Sequence, residues 1–273
     1  MRFGVTELRE EILASLKEKA RAARNEEKGY ILSIHRVGEN QPDLAYERGL
    51  KKSAQSAGID VDVHCYPEDV ETEALLEGIR RDNENPAVGG ILVFQPLPDT
   101  VDSGAVDAAV AIEKDIDCLH PDNQRKVYAG GGVLYPATAK SALAIAEAMG
   151  PLEGKRALIV NRSMVIGKPL AMMLLDKNAT VTIAHSRTRN LEEEAKRADL
   201  VVYATGKSRW IDERFVREGQ WIVDCGIAFD ENGKMTGDVD TEAVEKIVEY
   251  VTPVPGGVGS LTNLLLLENM FLA

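Results

Sequence analysis

Short apolar runs rich in β-branched residues alternate with longer stretches of helical spacing along almost all of the 273 residues. That alternation predicts βαβ units built on parallel sheets. In the first half the pattern predicts a strand at 30–35, a helix at 42–57, a strand at 60–65, a helix at 72–83 and a strand at 89–94. A second series follows Pro136: a helix to residue 149, a strand at 156–160, a helix at 167–178, a strand at 180–184, a helix at 191–198, and strands at 200–204 and 220–225. At the start of the chain Val5, Leu8, Ile12 and Leu16 recur at helical spacing. At its end, 262–272 reads as a helix whose four consecutive leucines are too apolar for a free surface, so it is expected to pack back on the first domain. The fold class is α/β, with two doubly wound domains.

Composition narrows the partners. With 44% hydrophobic and 28% charged residues the chain is expected to fold. A formal net charge of −12 repels phosphate backbones and anionic lipid, so neither nucleic acid nor membrane is an expected partner. An anionic ligand would have to be caught by local donors such as helix N-termini and single arginines. Cys65, Cys118 and Cys225 are odd in number and lack CxxC spacing, which points to a reducing cytoplasm and to no metal site. No apolar run approaches the roughly 20 residues that span a bilayer.

Candidate chemistry sits where strands end. The segment Val160-Asn161-Arg162-Ser163-Met164-Val165-Ile166-Gly167-Lys168-Pro169 follows a strand and opens a helix, the place where dinucleotide-binding folds hold a pyrophosphate, although it is not a GxGxxG. His185-Ser186-Arg187-Thr188 ends the next strand; an arginine there suits a ribose 2′-phosphate, which favours NADP over NAD. Ala204-Thr205-Gly206-Lys207 and Asp224-Cys225-Gly226-Ile227 end two more strands with glycines. Thr252 to Ser260 carries two prolines and three glycines and reads as a ligand-lining loop. Gln95-Pro96-Leu97-Pro98-Asp99 breaks the pattern after a strand in the first domain. Tyr46, Lys51, Lys52 and the Glu113-Lys114-Asp115-Ile116-Asp117 cluster are chemically versatile, but their spacing alone assigns them no role.

Taken in order, these segments resemble the methylenetetrahydrofolate dehydrogenase/cyclohydrolase family. The match includes Tyr46 with Gly58-Ile59, Pro96-Leu97-Pro98, Lys114 to Asp117, His120-Pro121-Asp122-Asn123, Arg162-Ser163 with Gly167-Lys168-Pro169, His185 to Thr188, Gly237-Asp238-Val239, and Thr252 to Gly259. The resemblance implies a folate domain at 1–120 plus 255–273 and a Rossmann-like NADP domain at 121–254, with the folate in a cleft between them, in a cytoplasmic homodimer. It also implies roles. Tyr46 would stack on the folate rings and Asp117 would accept its N–H donors; Pro255, Gly256 and Gly257 would shape the folate site, and Lys52 matches a family lysine counted with the catalytic group. Asn161, Arg162, Ser163, Ser186 and Arg187 would hold the NADP phosphates, with Ile227 along the nicotinamide. The implied reaction is hydride transfer from 5,10-methylenetetrahydrofolate to NADP, giving the methenyl cation.

Two departures bear on the second family activity, hydrolysis of that cation. The family lysine four residues after the tyrosine and the glutamine two residues before Pro-Leu-Pro are here Leu50 and Phe94, while the flanking anchors keep family spacing. Lys51 and Gln95 each come one residue late, which is about 100° around a helix and the opposite face of a strand. A dehydrogenase without efficient cyclohydrolase activity is therefore expected. The alternatives are the full bifunctional enzyme, a non-catalytic folate or nucleotide binding module, and a Rossmann dehydrogenase for another small acid. Asn161 and Cys118 stand where the family has glycine, and Ser260 where it has proline; Ala137 and Ala139 fall within a Pro-Cys-Thr-Pro pattern.

Overall fold

The structure, a computed structural model, describes residues 1–130 and 132–272. The chain divides into two units. The N-terminal unit comprises Glu11–Tyr135 with Asn263–Ala273, and the C-terminal unit Met1–Glu10 with Pro136–Thr262.

In the N-terminal unit the order is α1 (Thr6–Asn25, whose first residues belong to the other unit), β1 (Ile31–Val37), α2 (Gln41–Ala57), β2 (Asp60–Tyr66), α3 (Thr72–Glu84), β3 (Val88–Val93), α4 (Ser103–Ala109) and α5 (Pro121–Ala129). The strands form a parallel sheet in the order β2-β1-β3. Local chemistry sets the helix ends. Asn40 caps α2 by accepting from the Asp43 amide at 2.9 Å, and Gly58, at φ 81°, closes it in the left-handed conformation that glycine adopts without strain. Strand β3 is buried along its whole length, as a strand covered on both faces must be. Two of its residues are glycines, and a Cβ on Gly90 would collide with Ile116 and Met270.

The C-terminal unit continues with α6 (Ala137–Met149), β4 (Arg156–Val160), α7 (Gly167–Asp176), β5 (Thr180–Ala184), α8 (Leu191–Arg197), β6 (Leu200–Tyr203), β7 (Trp221–Asp224), a small antiparallel pair β8 (Ala228–Phe229) and β9 (Met235–Thr236), α9 (Thr241–Val244), β10 (Tyr250–Val251) and α10 (Gly259–Glu268). Its parallel sheet runs β10-β7-β6-β4-β5. The chain enters at β4, goes to β5 on one side and returns to β6 on the other, so the strand order reverses beside β4, where open α/β sheets bind ligands. Leu158, Val201, Tyr203 and Ile222 belong to the buried core of this sheet.

The expected α/β architecture, with its two parallel sheets, is present. Every strand expected from the pattern forms, with ends displaced by at most two residues. The short helices α4, α5 and α9, the β8–β9 pair and β10 carry too little periodicity to be read from sequence. The partition falls elsewhere than the expected 1–120 plus 255–273 and 121–254. Residues 121–135 stay with the N-terminal unit because Asn123 donates to the Ile112 carbonyl and the Asp115 carboxylate. Residues 1–10 join the C-terminal unit because Arg2 and Phe3 pair with Val251 of β10 and the Met1 ammonium donates to three carbonyls at residues 245–249. The C-terminal segment does pack back on the N-terminal unit: Glu268 pairs with Lys19 at 2.8 Å, and Asn269 donates to the carbonyls of Ile116 and Tyr135. No described helix is long and apolar enough to cross a membrane.

Candidate active-site residues in the two units

In the C-terminal unit the loops after β4, β5 and β6 enclose a cavity of about 780 Å³, within the range of small-molecule sites. Arg162, Ser186, Thr188 and Lys207 supply polar and cationic groups to its wall, and Trp210 and Phe215 supply apolar surface. The Trp210 indole N–H donates to Thr205 Oγ1 at 2.8 Å, and the Lys207 ammonium lies 5.2 Å from the Trp210 ring centroid. A cation held over an aromatic face beside a guanidinium suits an anionic, ring-bearing ligand.

The turn between β4 and α7 is closed by its own side chains. Asn161 Oδ1 accepts from the amides of Ser163 at 2.8 Å and Gly167 at 3.0 Å, while its Nδ2 donates to the Ala204 carbonyl at 2.7 Å. Ser163 Oγ accepts from the Ile166 amide. A Cβ on Gly167 would run into the backbone of Asn161, so glycine is required there for the close approach. The Ser163, Ile166 and Gly167 amides are thus satisfied within the turn. After β5, Thr188 Oγ1 accepts from the His185 amide at 2.9 Å, a local loop that places Ser186 on the cavity. Arg162 and Ser186 thus reach the cavity with Asn161; Ser163 and Arg187 stand beside it rather than on its wall, and Ile227 is exposed elsewhere in the unit.

Two buried carboxylates hold the strand-end loops. Asp238 accepts from the Thr205 amide at 2.5 Å and the Lys207 amide at 2.9 Å, and Asp224 accepts from the amides of Gly226, Asp238 and Val239. Burial pushes the Asp224 carboxyl up to about 7 despite those amides. A Cβ on Gly237 would collide with Asp224 and one on Gly226 with Asp238, which explains the Gly-Asp-Val motif as a backbone clamp. In the Pro-Gly loop, Val254–Pro255 is cis, Gly256 has φ 103°, and a Cβ on Gly257 would strike the Pro253 carbonyl. Pro255 and Gly256 are exposed and Gly257 is buried.

In the N-terminal unit, Tyr46 on α2 is 40% exposed, and its ring centroid lies 5.2 Å from that of Phe94, at 46°. Burial around the hydroxyl, then the charge of Asp117, hold the Tyr46 phenol above its ordinary value. Asp117 is half-buried; burial, then Asp115 and Asp107, push its carboxyl up to about 6. Tyr46 thus lies within electrostatic reach of Asp117, with no hydrogen bond between them. Lys52 does not join them: it is exposed and, six residues on, lies about 120° from Tyr46 around the helix. Leu50, only about 40° from Tyr46, is fully buried, and Phe94 is 6% exposed. Lys51 is occupied elsewhere: its ammonium donates to Glu47 Oε1 at 2.6 Å, and Arg36 Nε donates to Glu47 Oε2 at 2.8 Å. Burial alone would raise the Glu47 carboxyl, but these two hydrogen bonds outweigh it and hold it below its usual range.

The acidic cluster resolves residue by residue. The Lys114 ammonium donates to the carbonyls of Asp82, Asn83 and Asn85 and so caps the end of α3. Asp115 accepts from the amides of Leu119 and His120, Ile116 is core, and the charge of Asp117 acts on the Tyr46 phenol. Nothing in the sequence singled out Trp210, Phe215 or the contact of Phe94 with Tyr46. The first two occupy a loop and a 3₁₀ turn without periodicity, and the third joins residues 48 positions apart.

Comparison with known proteins follows the same division. The family model described as the catalytic domain of tetrahydrofolate dehydrogenase/cyclohydrolase matches residues 4–117, and that of its NAD(P)-binding domain matches residues 136–273. The chain is 43% identical over 261 residues to the bifunctional protein FolD of Streptococcus gordonii, covering 95% of this chain and 90% of that one. It is similar to the solved bifunctional methylenetetrahydrofolate dehydrogenase/cyclohydrolase of Campylobacter jejuni, with a TM-score of 0.92, 35% identity and coverage of 97% and 95%. The Trypanosoma brucei dehydrogenase-cyclohydrolase, solved with NADP and an inhibitor, gives a TM-score of 0.90 at 29% identity, covering 99% of this chain and 95% of that one.

Proposed function

The chain belongs to the tetrahydrofolate dehydrogenase/cyclohydrolase family, and from that premise we propose that it oxidises 5,10-methylenetetrahydrofolate to the 5,10-methenyl form with NADP and does not hydrolyse the product efficiently. The observation that carries the second half is the apolar surrounding of Tyr46: Leu50 is fully buried on the tyrosine's side of α2 and Phe94 packs on its ring.

Arg162, Ser186 and Lys207 on the wall of the C-terminal cavity would hold NADP, which would supply the hydride acceptor. The chain's own residues then position and discriminate. Tyr46 offers a flat face for the folate ring system, and its raised phenol stays protonated at neutral pH, so it stacks and donates rather than accepting a proton. Asp117, with its carboxyl near 6, is predominantly ionised at pH 7.5 and accepts the N–H donors of the pterin. Hydride transfer needs alignment and no protein base at the reacting carbon. Hydrolysis needs an activated water and proton transfers, and neither Leu50 nor Phe94 can hold or move a proton. Lys51 does not substitute, because its ammonium is tied to Glu47 at 2.6 Å.

The test mixes the protein with 5,10-methylenetetrahydrofolate and either NADP or NAD, recording methenyl absorbance and reduced nicotinamide separately. The expected result is equal accumulation of both signals with NADP, the methenyl signal then decaying at the rate of a matched buffer. Methenyl loss faster than buffer would overturn the reading of Leu50 and Phe94. Preference for NAD would overturn the cofactor assignment.

A further inference from the structure

On the face of the N-terminal sheet turned away from α2, a polar cluster is buried that the folate and nucleotide sites do not use. Along β1, Arg36 points towards Glu47 of α2, so Ser33 and His35 point to the opposite face. There they lie in register with Asp62 and His64 of β2, and Asp82 descends from α3. The helix lies close on this face, since a Cβ on Gly78, one turn before Asp82, would collide with the Tyr66 hydroxyl.

Two of the three separations are those of ligands on one ion, and the widest, up to 4.8 Å, closes towards about 3.3 Å when the ion binds. His35 Nε2 is 2.9 Å and His64 Nε2 is 3.3 Å from Asp82 Oδ2, and the three atoms lie within 4.8 Å of one another. Tetrahedral ligands about 2.0–2.2 Å from a zinc ion stand roughly 3.3 Å apart. Among the described residues, His64 Nε2 is buried without a hydrogen-bond partner, although a carboxylate oxygen is within 3.3 Å. A nitrogen lone pair directed beside that oxygen rather than a proton directed at it is what coordination to a shared ion requires. The second shell is in place: Tyr66 hydroxyl lies 2.9 Å from His35 Nδ1 and Ser33 Oγ donates to Asp82 Oδ2 at 2.5 Å, so the outer nitrogen and the carboxylate are both oriented. Asp62 Oδ2, 3.7 Å from His64 Nε2, and the 29% exposed His64 side chain mark the solvent side, where a fourth ligand and the entry path lie.

We propose that His35, His64 and Asp82 form a binding site for a divalent transition-metal ion of the zinc class, which cross-links β1, β2 and α3. Two imidazoles with one carboxylate select zinc or cobalt over magnesium and calcium, which prefer all-oxygen sets. Binding shifts the His35 proton from Nε2 to Nδ1, where the Tyr66 oxygen accepts it, so the imidazole remains neutral and Asp82 remains a carboxylate. The site is independent of the dehydrogenase reading, because none of its residues lines either ligand site.

The test uses the untagged full chain, stripped with a chelator and titrated with ZnCl₂ or CoCl₂. Expected are uptake of one equivalent by mass spectrometry, a visible absorption band from the cobalt form typical of tetrahedral coordination, and a rise in Tm of about 5 °C at saturating zinc. His64→Gln, at a partly exposed position, and Asp82→Asn are each expected to lose the cobalt band and the thermal shift, with His64→Gln keeping its circular dichroism and dehydrogenase activity. Absence of stoichiometric uptake by the unaltered protein, or the same cobalt spectrum from His64→Gln, would overturn the proposal. If Asp82→Asn fails to fold, His64→Gln decides alone.

Discussion

The β4–α7 turn of the C-terminal unit and the surroundings of Tyr46 in the N-terminal unit differ in chemical character, one polar and the other apolar. At the turn, the Asn161 carboxamide takes up two amides and one carbonyl. Around Tyr46 stand Leu50 and Phe94, which form no hydrogen bonds through their side chains and are buried. The turn satisfies its own backbone and leaves a polar cavity wall, whereas the side chains closest to the Tyr46 ring and one turn along its helix are apolar. On the proposed reading, the polar wall keeps its ligand and the apolar surroundings cost the second activity.

The largest effect expected from breaking this contrast is structural. Leu50→Ala should destabilise the protein by about 2–5 kcal/mol, since a fully buried leucine loses both its transfer free energy and its packing. Urea denaturation checks it, and a loss below about 1 kcal/mol would mean that Leu50 is not a core residue. Tyr46→Ala should raise the folate KM about 5- to 100-fold, the range of about 1–3 kcal/mol for one aromatic stack, and leave the NADP KM unchanged. Tyr46→Phe should retain most of the affinity. Asn161→Gly mirrors that experiment in the other unit: it removes three hydrogen bonds, and a several-fold rise in the NADP KM with an unchanged folate KM is expected. If both constants moved together in either variant, the assignment of one ligand to each unit would fail.

Smaller effects sharpen the picture. Asp117 has its folded carboxyl raised to about 6, first by burial and then by Asp115 and Asp107. A raised acid contributes stability below its unfolded value that is lost as pH rises through about 6, whereas folate affinity should rise through the same interval as the carboxylate forms. Asp117→Asn should flatten both profiles, weakening folate binding while stabilising the chain by about 1 kcal/mol at neutral pH. The smallest change is expected at Cys118, which sits at φ 59°, a conformation that favours glycine. Cys118→Gly relieves left-handed backbone at the cost of a buried thiol, and the two should nearly cancel, to within about 1 kcal/mol.

The legible part of the fold and of the site was local. Periodicity located the strands at 156–160 and 180–184 to the residue, because an apolar run bounded by turn residues leaves little choice of ends. Asn161, Arg162 and Ser186 could be singled out as candidates because they follow strand ends, whereas Tyr46 and Asp117 became candidates only through the family resemblance, their spacing alone assigning them no role. The role of Asn161 was not legible, since a side chain that caps its own turn and reaches the Ala204 carbonyl depends on where β6 lies.

The sequence by itself determined the α/β class, two parallel sheets and the apolar identity of residues 50 and 94, since each depends on residue type and spacing along the chain. Only the tertiary structure decided that Phe94 meets Tyr46, that Lys51 is tied to Glu47, and that His35, His64 and Asp82 converge beneath α3. Those contacts join residues brought together by strand register and helix packing, and a hydrogen bond or a ligand set forms between neighbours in space, whatever their separation along the chain.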